Sequence, residues 1–146
     1  MTKRFTIAVI VTIGLLGGTL TAGPASAGST VRVAPKTIDF GTKAVGDTYY
    51  DSVKITNSSG VPLNVIVEGG LPDDFGFGLL PGSTCPVLTP GAVMAPRESC
   101  VAVVRFTPSE YFVGWHQTGA LTVTTTDPAT GSRSTTSIPV SGLAKL

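Results

Sequence analysis

Apolar and polar side chains alternate along most of this chain at period two, in short runs broken by Gly, Pro, Asn and Asp. The first runs are Thr30–Val33 and Thr37–Phe40, separated at Pro35, with Ile38 and Phe40 on one face and Asp39 on the other. Gly41 to Gly46 reads as a turn. Thr48–Asn57 then sets Val53 and Ile55 against Ser52, Lys54 and Thr56, and Asn57-Ser58-Ser59-Gly60 has turn chemistry. Val61–Glu68 aligns Leu63, Val65 and Val67. Leu71–Pro96 is looser, with one modest strand candidate, Phe75–Leu80. Ser99–Phe106 is the clearest run: Cys100, Ala102, Val104 and Phe106 alternate with Val101, Val103 and Arg105 until Thr107-Pro108 stops it. Ala120–Thr126 and Ser134–Val140 complete the set around an Asp127–Gly131 turn. No stretch of this part carries helical spacing. Short alternating strands with turn signals between them predict an all-β fold, an immunoglobulin-like β-sandwich of about seven strands. Two stacked sheets would bury the apolar rows against each other.

The first 27 residues have a different pattern. Lys3 and Arg4 precede an apolar run from Phe5 to Leu20, and Gly23-Pro24 leads to Ala25-Ser26-Ala27. A basic head, an apolar middle and a small-residue exit make a secretory signal peptide, with cleavage expected between Ala27 and Gly28. The apolar run is short and interrupted for a bilayer-spanning helix, so no membrane span is expected in the mature chain. Residues 28–146 then form one domain of 119 residues. Cleavage leaves eight Lys/Arg against nine Asp/Glu, a net charge of −1 with His116 neutral. Steering of nucleic acid or anionic lipid by bulk charge is therefore not expected. Export also bears on Cys85 and Cys100, the two cysteines of the chain. An oxidising compartment favours one disulfide between them. Fourteen intervening residues, a single His and no C-x-x-C make a poor metal or redox set.

Several stretches resemble the ASH family of immunoglobulin-like domains, met in bacteria as the repeats of choice-of-anchor D proteins. The opening Ile38-Asp39-Phe40-Gly41 with Val45-Gly46-Asp47-Thr48 is similar to the family's first strand and turn. Val53 through Leu63, including Asn57-Ser58-Ser59-Gly60, resembles its first hairpin. Leu88-Thr89-Pro90-Gly91 with Ser99-Cys100-Val101, Val104-Arg105-Phe106-Thr107-Pro108 with Gly114, and Ile138-Pro139-Val140-Ser141-Gly142 follow in the family's order. The likeness runs from about Val33 to Leu143, and Ala92–Glu98 departs from it by lengthening one connection. It implies a non-catalytic sandwich that binds partners or serves as a structural repeat. The expectation is a secreted module at the cell envelope that contacts a protein partner or an envelope component. The alternative is a carbohydrate- or cell-wall-binding module.

Candidate chemistry is sparse. His116 lacks a Ser/Asp constellation of plausible order, and a Cys nucleophile would be consumed by the disulfide, so no catalytic residue is assigned. Asp73 and Asp74 are adjacent and would diverge in a strand, while Asp39, Asp47, Asp51 and Asp127 are scattered without a calcium-loop pattern. No metal or cofactor is expected. The most suggestive binding candidate is the loop that carries Tyr111, Phe112, Trp115 and His116, displayed to a partner together with the Leu71–Pro96 loop and the sheet edges. Crowded aromatics form either a docking platform or the plug of a small core, and the favoured reading has Phe112 and Trp115 capping the open end of the sandwich. The Ser/Thr-rich hairpin Thr124–Thr126 and Ser132–Ser137 offers an edge for strand addition or a polar solvent face. Asn57-Ser58-Ser59 fits a glycosylation sequon that its turn role already explains.

Closing a loop of this length through a disulfide contributes about 3 kcal/mol. Reduction is therefore expected to lower the urea midpoint of unfolding, and the intact mass of the untreated protein should lie about 2 Da below that of the reduced form. Equal masses would mean two free thiols.

Overall fold

Nine strands form in the computed structural model, which describes residues 31–78, 80–85 and 92–146. The signal-peptide segment and Leu88-Thr89-Pro90-Gly91 lie outside the described residues. One sheet has four strands in the order β1 (Val31–Ala34), β3 (Tyr49–Asn57), β7 (Ser99–Phe106) and β5 (Phe75–Phe77). The other has five in the order β2 (Ile38–Ala44), β9 (Arg133–Lys145), β8 (His116–Thr126), β4 (Leu63–Gly70) and β6 (Val93–Met94). All pairings are antiparallel except β2 with β9.

The alternating rows meet between the sheets as their period requires. Val53, Ile55, Leu63, Val65, Val67, Ala102, Val104, Leu121, Val123, Ile138 and Val140 are all buried, and most of them are β-branched valine or isoleucine, suited to a pleated face. Near Phe106 the core changes character. Phe75 stacks on Phe106 with ring centroids 4.6 Å apart, and Phe40 tilts against both at 5.9 and 5.3 Å. This cluster joins β2 of one sheet to β5 and β7 of the other. Gly142 lies beneath it: a Cβ there would stand 2.7 Å from Phe106 Cε1, so the absence of a side chain is what admits the ring.

The expected boundaries shift where tertiary pairing overrides local turn chemistry. The Gly41–Gly46 turn is shorter than expected, because β2 runs on to Ala44. Gly41 adopts φ +62° and makes a register shift between Asp39 and Thr42 instead of ending the strand. β8 begins at His116, not Ala120, and β9 runs to Lys145, not Val140. Pairing of β9 with β2 on one side and β8 on the other supplies the hydrogen bonds that sustain these polar ends. The Phe75–Leu80 candidate contracts to Phe75–Phe77. β6, two residues long, has too little pattern to be read and exists through its pairing with Leu63 and Asn64.

The disulfide between Cys85 and Cys100 is formed, with an S–S distance of 2.02 Å. It lies where the chain imitates a strand along β7. Thr84 and Cys85 donate backbone N–H groups to Val101 O, at 2.8 and 3.1 Å. In return the Thr84 and Ser83 hydroxyls accept from the N–H groups of Val101 and Val103. Irregular chain thus satisfies the β7 backbone beyond the end of β5.

Asn57 organises the end of the sandwich remote from the phenylalanine cluster, the end at which Cys100 also lies. It is fully buried, with 0% exposure. Its Nδ2 donates to Val61 O, Met94 O and Ala95 O, while Oδ1 accepts from Ser59 N and Ser59 Oγ. Its backbone exchanges bonds with Glu98 O and Arg97 N. The sequon is therefore committed to the interior. Asn57→Ala removes the side-chain donor to the buried Met94 O and to the part-buried Ala95 O, and an unpaired buried group costs about 1–3 kcal/mol. The variant is expected to lose roughly 3 kcal/mol in urea unfolding on that basis; an unchanged midpoint would show the amide to be dispensable.

A clamped aromatic loop as the candidate functional site

Between β7 and β8 the chain leaves the sandwich and returns within ten residues, 107 to 115 being the connection. Its centre is a single 3₁₀ turn, Glu110–Phe112, closed by Phe112 N on Ser109 O, and Trp115 N donates to Phe112 O. Gly114, at φ +78°, turns the chain back toward β8, and its N–H donates to Ala144 O. Val113 makes a parallel bridge with Ala144. The loop is thus tied to the end of β9 by backbone hydrogen bonds.

A buried carboxylate holds both of its feet. Asp74, 7% exposed, accepts at Oδ2 from Ser109 N at 3.0 Å and from Gln117 Nε2 at 2.7 Å. Its main-chain oxygen accepts from Thr107 N at 2.8 Å. Ser109 precedes the loop and Gln117 follows it, so one side chain from a different part of the fold sets the span of the segment. In the sequence Asp73-Asp74 is an adjacent acid pair that would diverge in a strand, and that pattern gives no sign of the clamp. The adjacent Phe75, a core residue, is the signal that Asp74 sits at the margin of the interior.

The four candidate residues divide. Tyr111 is 91% exposed and Trp115 71%, His116 is exposed at the start of β8, and Phe112 is half-buried. The expectation that Trp115 caps the core is corrected: Phe40, Phe75 and Phe106 pack against one another in the interior, and the indole stands outside it. Tyr111 and Trp115 stand in solvent on a loop whose backbone is fixed.

Other chemistry does not assemble. Asp39 accepts from Gly41 N at 3.0 Å and from Ser141 Oγ at 2.9 Å, and these two bonds, with a smaller contribution from the charge of His116, hold its carboxyl below the usual carboxylate range. Ser141 donates to the acid rather than to an imidazole, which is not the arrangement of an activated nucleophile. Among the described residues no three metal-ligating side chains converge. Asp127 spends its carboxylate on Ala129 N and Thr130 Oγ1 within its own turn.

No family model matches the chain, and no curated protein sequence matches it. Solved structures do. The ASH/PapD-like domain 7 of human CEP192 superposes with a TM-score of 0.55 at 13% identity, covering 97% of each chain. WR4, a member of the MSP family from C. elegans, gives 0.52 at 11% identity, covering 77% of this chain and 97% of its own. A chain from the Salmonella enterica SafA pilin–SafB chaperone complex gives 0.56 at 8% identity, covering 82% of this chain, which spans just over half (57%) of that one. These likenesses establish an ASH/PapD-like immunoglobulin fold, in agreement with the resemblance carried by the sequence motifs.

Asp74→Ala removes the acceptor for two donors and should destabilise by about 2–3 kcal/mol, with faster amide exchange across 109–117 than elsewhere. Uniform exchange would deny the clamp. Asp39 is held below 3.8, its value when unperturbed, so its contribution to stability is complete above that pH and is lost as pH falls through the lowered folded value. Asp39→Asn is expected to flatten the acid limb of the urea midpoint against pH; an unaltered limb would show equal titration in both states.

Proposed function

From this ASH/PapD-like fold we propose a secreted, non-enzymatic module that engages a protein partner at the cell envelope through Tyr111 and Trp115. The observation that carries the reading is the pairing of exposure with rigidity. A tyrosine and a tryptophan stand in solvent, while Asp74, Ala144 and the 3₁₀ turn fix the backbone beneath them. Two large amphipathic rings on a preorganised loop lose little conformational freedom on docking, which is the economy of an interface anchor. Their polar ends, the phenol and the indole N–H, can hydrogen-bond a partner while the rings are covered.

Export is supported by the basic-apolar-small pattern of residues 1–27 and by a formed disulfide. Among the described residues no helix is long and apolar enough to cross a membrane. Among the described residues Asp127 bonds within its own turn and Ser141 donates to Asp39, which supports the non-enzymatic reading. One of the similar structures is a pilin bound to its chaperone, which supports protein partners for folds of this shape.

Trp115 is the only tryptophan, so its emission reports directly on this loop. A protein partner from the envelope of the producing cells should blue-shift that emission. Trp115→Ala and Tyr111→Ala should abolish capture of that partner while changing stability by less than about 0.5 kcal/mol, as for exposed positions. Retention on insoluble polysaccharide, lost in the same variants, would replace the protein reading with the carbohydrate one.

A further inference from the structure

On the outer surface of the four-stranded sheet, strand pairing brings together side chains that are far apart in the chain. Tyr50, Arg105 and Gly76 stand in one row across β3, β7 and β5. Lys54 lies four residues on from Tyr50 along β3, about 14 Å at the usual rise of a strand. These positions alternate with the buried Val53, Ile55, Phe75, Val104 and Phe106, so they face away from the core. Ser52, Thr56 and Ser99 share the surface. The chain's nine Asp and Glu residues are all described, and none holds an outward position on these three strands. Asp51, beside Tyr50, falls in the inward row and accepts from Ser52 N at 2.7 Å. Charge on this surface is therefore positive only.

Gly76 decides where the Arg105 guanidinium lies. A Cβ at Gly76 would stand 2.9 Å from both Nε and Nη2 of Arg105 and 3.1 Å from Cζ. The planar group is thus laid over bare backbone, in space that any other residue would fill. It leans toward β5 and away from Tyr50, whose side chain stays 57% exposed. Both Arg105 and Lys54 are exposed, and neither forms an ion pair among the described residues. A guanidinium held in place is a planar fork of donors matched to carboxylate or phosphate oxygens, and it has less freedom to lose when such a group arrives.

We infer that this face binds an acidic polysaccharide of the cell envelope, with its carboxylates or phosphates on Arg105 and Lys54 and a sugar ring against Tyr50. Two cations this far apart on a flat surface are engaged together only by a ligand that extends across it, and linked contacts then gain from effective concentration. The hydroxyls of Ser52, Thr56 and Ser99 both donate and accept, as a sugar requires. An exposed tyrosine offers a ring with a polar tip. A protein anchor needs an apolar pocket instead, and the outward valines of β7 do not make one: Val101 is half-buried and Val103 is buried. The surface is separate from the aromatic loop, since Trp115 leads into β8 of the other sheet.

The test titrates the protein with polygalacturonate, which carries carboxylates, and with phosphomannan, which carries phosphates. Binding to at least one is expected, weaker as salt rises, and the preferred polymer names the anion. Arg105→Ala and Lys54→Glu should each weaken it about tenfold or more, as the loss of a charge-assisted bond does. Tyr50→Ala should weaken it as well. Gly76→Ala keeps every charge; its new methyl group meets only the far end of a flexible side chain, so the urea midpoint should hold while binding falls toward that of Arg105→Ala. Trp115→Ala should leave this binding unchanged, so that failure here and failure of the aromatic-loop reading are separate results. No binding to either polymer, or full binding by Arg105→Ala or by Gly76→Ala, would overturn the proposal. So would equal binding to polyglutamate, which has the charge without the sugar, or a loss confined to Trp115→Ala, which moves the site to the loop.

Discussion

A single buried amide sets the geometry of one end of this sandwich. Most of the core is valine, leucine and isoleucine, whose attraction is large but without direction. Such a core resists exposure and does little to specify where irregular chain must run. Asn57 supplies direction. Its side chain reaches the β3–β4 turn at Val61 and Ser59 and the distant Met94 and Ala95, and every one of those bonds is made where unpaired polar groups are costly. Residues 94 to 98 of the long connection before β7 are thereby held to β3 by side-chain and backbone bonds together.

Asp74 repeats the device at the other end. There the apolar element is the Phe40, Phe75 and Phe106 cluster, which closes the interior without help from the connecting loop. Because the core is already sealed, the 107–115 connection is free to present its aromatics outward. Asp74 fixes where they stand by accepting from both ends of the segment. A loop that had to plug the sandwich could not also display Tyr111 and Trp115. The division of labour between buried and exposed aromatics is the physical basis of the candidate site.

The split of the N-terminal strand has a comparable consequence. By serving β3 first and β9 afterwards, it covers part of each neighbour and leaves the rest. One end of the described chain thus carries a groove between β1 and β9, and the other the aromatic loop clamped by Asp74.

Period-two alternation is a local property, and the sequence alone therefore determined the all-β class, the inward rows from Ile38 to Val140 and the pairing of Cys85 with Cys100. The ordered motifs from Ile38-Asp39-Phe40-Gly41 to Ser141-Gly142 added the immunoglobulin-like family of folds. Tertiary structure decided what depends on residues far apart in the chain. It turned Gly41 into a bulge by aligning β2 with β9, drew His116 into β8, and made a strand of Val93–Met94. It put Trp115 in water because three phenylalanines from separate strands had taken the interior. Asp74 looked like an exposed acid until Ser109 and Gln117, 35 and 43 residues away, came to it. Alternation records which side of a strand is apolar; it carries no record of which neighbour arrives to cover that side, and the sites of this protein lie where that choice was made.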